Sequence, residues 1–185
     1  MPNINEEQSE PSFAIQVFEW IWDIFIVLII VYLIITFVAQ NTKVSGHSME
    51  PTLHNNDAVI VNKFIYHFKT PHQGDIIVFP YQKDPSKKYI KRIIGLPGDI
   101  IDIENGMIYI NGQILHEPYI IESWNVKGNI SYPFKIPENT YFVMGDNRDY
   151  SADSRFQDVG TVQKSEIFGK VWIRIWPLKN IGAVK

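Results

Sequence analysis

The sequence predicts a mostly β protein carried behind one transmembrane helix. Three observations predict it. Residues 24–41 form an uncharged, almost wholly apolar run of 18. From residue 42 onward the apolar residues fall into short or alternating runs separated by Gly, Pro, Asn and Asp, the pattern of strands and turns. No stretch of that body repeats apolar residues at helical spacing over helical length.

The anchor comes first. Trp20–Gln40 as a helix would span about 30 Å, the thickness of a bilayer core. Trp20 and Trp22 stand at one end, where interfacial aromatics gather. Nothing else in the chain could surround so uniformly apolar a helix in a soluble core. A cleaved signal peptide would need a basic leading region, an apolar core of about 7–15 residues and small residues before the cut. Here the leading region holds Glu6, Glu7, Glu10, Glu19 and Asp23 and no basic residue, and a cut after Ala39 would put Phe37 at the −3 position. The chain therefore divides into an acidic polar tail (1–19), a retained transmembrane helix (20–41) and a β-rich domain (42–185). The charge rule for membrane orientation counts flanking Lys and Arg. With Lys43 alone beside the helix, that count mildly places the body in the cytoplasm.

Composition excludes several functions. The chain has 17 basic and 20 acidic residues, a formal charge of −3. Beyond residue 23 the balance is 17 basic against 15 acidic. So weak a charge, with no basic block, gives little affinity for nucleic acid. There is no cysteine, hence no disulfide, thiol nucleophile or Cys metal site. The five histidines lack metal-ligand spacing, and no metal or cofactor is expected.

Within the body, strands are expected at Lys43–Ser45, Ala58–Asn62, Asp75–Pro80, Tyr89–Ile94, Ile100–Glu104, Met107–Ile110, Tyr141–Met144 and Gly169–Trp176. Asn105-Gly106 and Asn111-Gly112 are two-residue hairpin signals, so residues 100–115 read as a meander. A short helix is expected after Ser48, through Pro51 and Thr52. Residues 116–140 read as a loop-rich excursion. The expected domain is antiparallel and closed or coiled.

Three segments carry chemistry. In VSGHSMEPTL (44–53), Gly46 permits a tight turn that could expose Ser48 and aim amide groups at a substrate. In YIKRIIGLPGD (89–99), strand alternation sends Lys91 and Arg92 to opposite faces, each beside apolar neighbours; a lysine so placed sheds its charge more readily. GDNRDYSADSR (145–155) packs Asp146, Arg148, Asp149, Asp153 and Arg155 with Asn147, Ser151 and Ser154 into one loop that ion pairs would tie. Each has a plainer reading. Ser48 alone is a surface turn serine, Lys91 alone a solvated edge-strand charge, and the last loop a hairpin or a weak cation site, although its arginines and spacing oppose calcium.

Taken together, SGHSMEPTL, KRIIGLPGD and GDNRDYSADSR, in that order behind an anchor, resemble the bacterial type I signal peptidases of the single-anchor, Gram-positive kind. The resemblance covers the anchor and nearly all the body. It implies a coiled antiparallel β-domain, of the type shared with repressor autopeptidases, and a membrane-bound serine endopeptidase that cuts signal peptides from secreted preproteins after small residues at −1 and −3. It places the nucleophile at Ser48 and the general base at Lys91. Ser151 falls on the serine that orients the lysine, Asp153 on an aspartate near the site, and Arg92 and Arg155 on structural partners. Asp146 and Arg148 fall on the start of the last motif. Some relatives carry a hydroxyl where this chain has Gly46, so here the oxyanion would rest on backbone N–H groups, chiefly that of Ser48. Met49 is expected to line the substrate pocket.

The implied partners are secretory preproteins and the phospholipid membrane, with no nucleic acid. The implied place is the bacterial cytoplasmic membrane, single-pass, with the body on the extracytoplasmic face, against the mild charge argument. Trp124, Tyr132, Phe134, Trp172 and Trp176 are either lipid contacts or core residues. The rivals are a repressor-type Ser–Lys autopeptidase, which would need a DNA-binding or substrate domain and a self-cleavage sequence where a membrane helix is expected here, and a tethered binding protein with a dead site.

Overall fold

The computed structural model describes residues 13–33 and 39–184. The chain forms two compact units, Met1–Val38 and Ala39–Lys185. In the first, the described part is one helix, α1 (Phe13–Leu33). Its 21 residues at about 1.5 Å each reach about 31 Å, and it is long and apolar enough to cross a membrane. It begins at Phe13 rather than Trp20. Gln16 and Glu19 are good helix formers, so the helix runs through polar residues that bound an apolar run. The predicted tail over residues 1–12, and residues 34–38 of the predicted span, lie outside the described residues.

The second unit begins with a strand where helix was expected. It comprises β1 (Ala39–Lys43), β2 (Ala58–Asn62), α2 (Ile65–Phe68), β3 (Ile76–Tyr81), β4 (Asp84–Gly95), β5 (Ile100–Glu104), β6 (Met107–Ile110), β7 (Gln113–Ile114), β8 (Phe134–Lys135), β9 (Thr140–Met144), β10 (Val162–Gln163), β11 (Gly169–Trp176) and β12 (Gly182–Ala183). β1 pairs along β2 from Ala39↔Asn62 to Lys43↔Ala58. That ladder satisfies the backbone of Gln40–Thr42 and ends any helix before it. Residues 48–52 form turns, not the expected short helix.

One large sheet has the order β1-β2-β11-β3-β4-β9-β10, with β12 on β11, and a smaller one has the order β7-β6-β5-β8. Every pairing is antiparallel. The small sheet is the predicted meander. Its turns place Asn105 and Gly106 at φ 51° and 74°, and Asn111 and Gly112 at φ 52° and 79°, left-handed at both central positions as a type I′ hairpin requires.

β3 explains the core. Ile76 and Val78 enter a cluster with Val44, Met49, Leu53, Val59, Val61 and Val171. Ile77 and Phe79 face a second cluster with Ile93, Tyr141 and Val143. A strand buried on both faces reads as a continuous apolar run rather than an alternation. β4 is longer than predicted, because Lys88 and Asp84 also pair with β3, at Pro80 and Tyr81 on either side of a register shift; a polar edge ribbon looks like loop in sequence. At its end Ile94 joins Ile101, Ile103, Ile108, Trp124, Ile136, Phe142 and Met144 in a third cluster. Trp124 is thus core, with Tyr132 and Phe134 half-buried against it, whereas Trp172 and Trp176 are exposed.

Gly95 lies where β4 leaves the ladder. A Cβ there would come within 2.5 Å of Ile136 Cδ1 and 2.7 Å of Ile101 Cδ1. Gly95→Val should therefore overpack this cluster and cost about 1–3 kcal/mol, measured by denaturant unfolding. Wild-type stability in that variant would show the contact to be slack.

Candidate active site

The segment between β1 and β2 is closed at its base, where Val44 N–H bonds Asp57 O (2.8 Å) and Asn56 N–H bonds Val44 O (2.9 Å). Gly46 adopts φ 94°, a left-handed conformation that suits glycine, and its N–H is held by Asn55 Oδ1 at 3.1 Å. Leu53 N–H bonds Met49 O, and the Met49 and Leu53 side chains are buried in the core. These ties fix Ser48 from both sides. Its carbonyl accepts Asn147 N–H at 3.1 Å, which joins it to the 145–155 loop.

Lys91 reaches Ser48 from β4. Its Nζ lies 2.8 Å from Ser48 Oγ, and the residue is only 4% exposed. Burial pushes the Lys91 amine down to about 8; Asp153 and Asp146 oppose that shift and Arg155 adds to it. Desolvation wins because the nearby carboxylates already have cationic partners. Asp153 takes Arg155 Nε and Nη2 at 2.8 and 2.9 Å and also the Gly145 N–H. Asp146 takes Arg92 Nε and Nη2 at 2.8 and 2.7 Å. Alternation along β4 therefore does what the sequence predicts: Lys91 faces Ser48, and Arg92 faces Asp146.

The other expected residues gather around this pair. Arg155 is fully buried and also donates to the carbonyls of Val126 and Arg148. Arg148 is buried, with Nε on Gly145 O at 3.1 Å. Ser151 is buried, and its Oγ has no hydrogen-bond partner among the described residues. Met49 borders the cleft over Ser48 but is 2% exposed, so its side chain is mostly core. That cleft, of about 480 Å³, is lined by Thr42–Met49, Ser86, Lys88–Lys91, Tyr150 and Ala152. Among the described residues no three His, Asp or Glu side chains gather as metal ligands would.

Two contributors were not singled out in the sequence. A side chain on Gly145 would collide with the Ser48 carbonyl oxygen and the Ser151 side chain, so the loop approaches Ser48 only because residue 145 is glycine. Its place at the head of a dense polar motif was the available signal. Thr52 donates its hydroxyl to Asp146 Oδ2 at 2.5 Å and lies 3.3 Å from Arg92 Nη2. It read as a turn former, and only tertiary contact gives it this place.

The sequence profile described as "Signal peptidase, peptidase S26" matches residues 17–176. The chain belongs to that family. It is 38% identical over 188 residues to a signal peptidase I of Leptolyngbya laminosa, covering 98% of this chain and 90% of the relative. It is also 38% identical over 177 residues to signal peptidase I P of Bacillus subtilis subsp. natto, covering 91% and 94%. A cyanobacterial and a Bacillus enzyme are thus equally similar to it, and identity does not single out the Gram-positive branch. A solved signal peptidase I from Enterococcus faecalis V583 is 35% identical, with a TM-score of 0.45, covering 56% of this chain and 97% of that one. The family is one of Ser–Lys serine peptidases.

The depressed Lys91 amine has a consequence for stability. Between about 8 and its ordinary 10.5, the unfolded chain holds a proton that the native chain lacks, so stability rises with pH across that window. Below it, the buried charge costs about 3 kcal/mol. Lys91→Met should raise stability at pH 7 by that order, with the gain shrinking to nothing above about 10.5. Urea unfolding at the two pH values measures it; a gain independent of pH would refute the assignment.

Proposed function

We propose that this chain is a membrane-anchored endopeptidase that removes signal peptides from secreted preproteins, with Ser48 as nucleophile and Lys91 as general base. The observation that carries the reading is the 2.8 Å approach of Ser48 Oγ to a buried lysine amine. Near pH 8 a useful fraction of Lys91 is neutral and accepts the Ser48 proton. Oγ attacks the scissile carbonyl and forms a tetrahedral oxyanion. The Ser48 N–H is the donor for that oxyanion; the Gly46 N–H is already engaged by Asn55. The protonated Lys91 then gives its proton to the leaving amine, and water, activated by the same lysine, releases the acyl group.

Sheet topology supports an extended substrate. β4 pairs with β9 only over Arg92–Gly95, so Tyr89–Lys91 have an unpaired side, and β1 is the sheet's outer strand. A peptide laid between them would pair as an added strand. Alternate side chains would then point into the cleft, which fits a requirement for small residues at −1 and −3. Ile90 and the rim of Met49 are its apolar floor.

We place α1 across the cytoplasmic membrane and the body on the outer face, where secreted chains emerge. Added protease should digest the body on intact protoplasts; a protected body would reverse the orientation.

Ser48→Ala and Lys91→Ala should each abolish cleavage while circular dichroism stays unchanged. Wild type should cut a preprotein with Ala at −1 and spare one with Phe, with kcat/KM rising through a midpoint near pH 8. Full activity in either variant would sink the dyad. Cleavage of neither preprotein would favour a tethered binding protein.

A further inference from the structure

The 116–140 excursion carries a tripeptide that ties together Arg92 and Arg148, two of the three buried arginines beside the dyad. Glu117 forks Arg148, with Oε2 2.9 Å from Nη1 and Oε1 2.5 Å from Nη2. Tyr119 donates its hydroxyl to Glu117 Oε1 at 2.6 Å, and its ring lies 3.9 Å from Arg92 Cζ. Glu117 is nearly buried, its side chain 10% exposed.

Each arginine governs one half of the site. Arg92 follows Lys91 on β4 and holds Asp146. Its ring contact with Tyr119 holds the guanidinium in place against Asp146, since a buried cation over an aromatic face gains electrostatically from the contact. Arg148 grips the Gly145 carbonyl, and Gly145 is the residue packed against the Ser48 carbonyl and Ser151. The clamp therefore runs from Lys91's neighbour, through Tyr119 and Glu117, to the loop that seats Ser48.

We infer that Glu117 and Tyr119 are positioning residues that hold Ser48 and Lys91 at reacting distance by locking Arg92 and Arg148 in place. The inference rests on the peptidase reading for its kinetic part. Neither residue touches the reacting atoms, so neither is catalytic. Loosening Arg92 leaves Asp146 less neutralised, and an unneutralised carboxylate favours the charged form of Lys91.

The test uses the full chain in detergent, with two readouts. One is cleavage kinetics on the Ala preprotein. The other is the titration midpoint of Lys91, from pH-dependent amine acylation followed by mass spectrometry. Tyr119→Leu should lower kcat by about tenfold or more while KM stays within about twofold, and should move the Lys91 midpoint upward from about 8. Tyr119→Phe keeps the ring over Arg92 but removes the hydroxyl bonded to Glu117; it should return the Lys91 midpoint to about 8 and recover only part of kcat. An unchanged midpoint in folded Tyr119→Leu overturns the inference even if kcat falls, because general loosening alone would give that result. A Tyr119→Phe whose Lys91 midpoint moves as far as that of Tyr119→Leu overturns it too. Should Tyr119→Leu fail to fold, Glu117→Gln carries the test: kcat should fall with KM held, and wild-type kcat refutes the clamp. If wild type cuts no preprotein, the peptidase reading fails, and the Lys91 midpoint alone still decides the clamp.

Discussion

The structure is organised around one constraint, the burial of a lysine amine beside a serine hydroxyl with no acid left free to recharge it. Lys91 has Asp146 and Asp153 close enough to favour its charged form. Either carboxylate, if unpaired, would keep the amine protonated. Each is instead forked by its own arginine. Buried ion pairs of this kind seldom add net stability, because desolvation takes back most of the attraction. Their value here is electrostatic: they support a buried loop while leaving the local charge near balance.

The same constraint explains the strand arrangement. Lys91 and Arg92 are neighbours that must do opposite things. Strand alternation separates them without any special device, and β3 and β9 enclose that part of β4 with apolar side chains. Glycine at 145 removes the last obstacle to the approach of the acidic loop. Placing the Ser48–Lys91 pair on a strand and a tied loop gives it the rigid support that the proposed chemistry needs.

Much of this was legible in the residues. The Asn-Gly pairs at 105–106 and 111–112 require left-handed turns, and those turns formed. The period of β4 was visible in YIKRII, and so was the opposed placement of Lys91 and Arg92. What was not legible depended on distant partners. Ala39–Asn41 looks like the tail of an apolar helix until β2 is available to pair with it. Asp84 and Lys88 read locally as a polar loop and become strand only against Tyr81 and Pro80 of β3. Glu117 and Tyr119 sit in a stretch with no periodicity, and their contacts lie 31 residues away at Arg148 and across the fold at Arg92. Met49 was legible as a neighbour of Ser48, but its almost complete burial was not.

The distance in sequence between the site's parts has a kinetic meaning. Ser48 and Lys91 are 43 residues apart, and the Ser48 carbonyl waits for Asn147 from near the end of the fold. Contacts of such long range form only after the loops between them close, at an entropic cost that local pairing does not offset. A chain emerging during synthesis therefore has a serine and a solvated, fully charged lysine but no reactive pair. In the proposed peptidase, competence to cut would arise only once β4 and the 145–155 loop are in place, so an incompletely folded copy would be inert toward its neighbours.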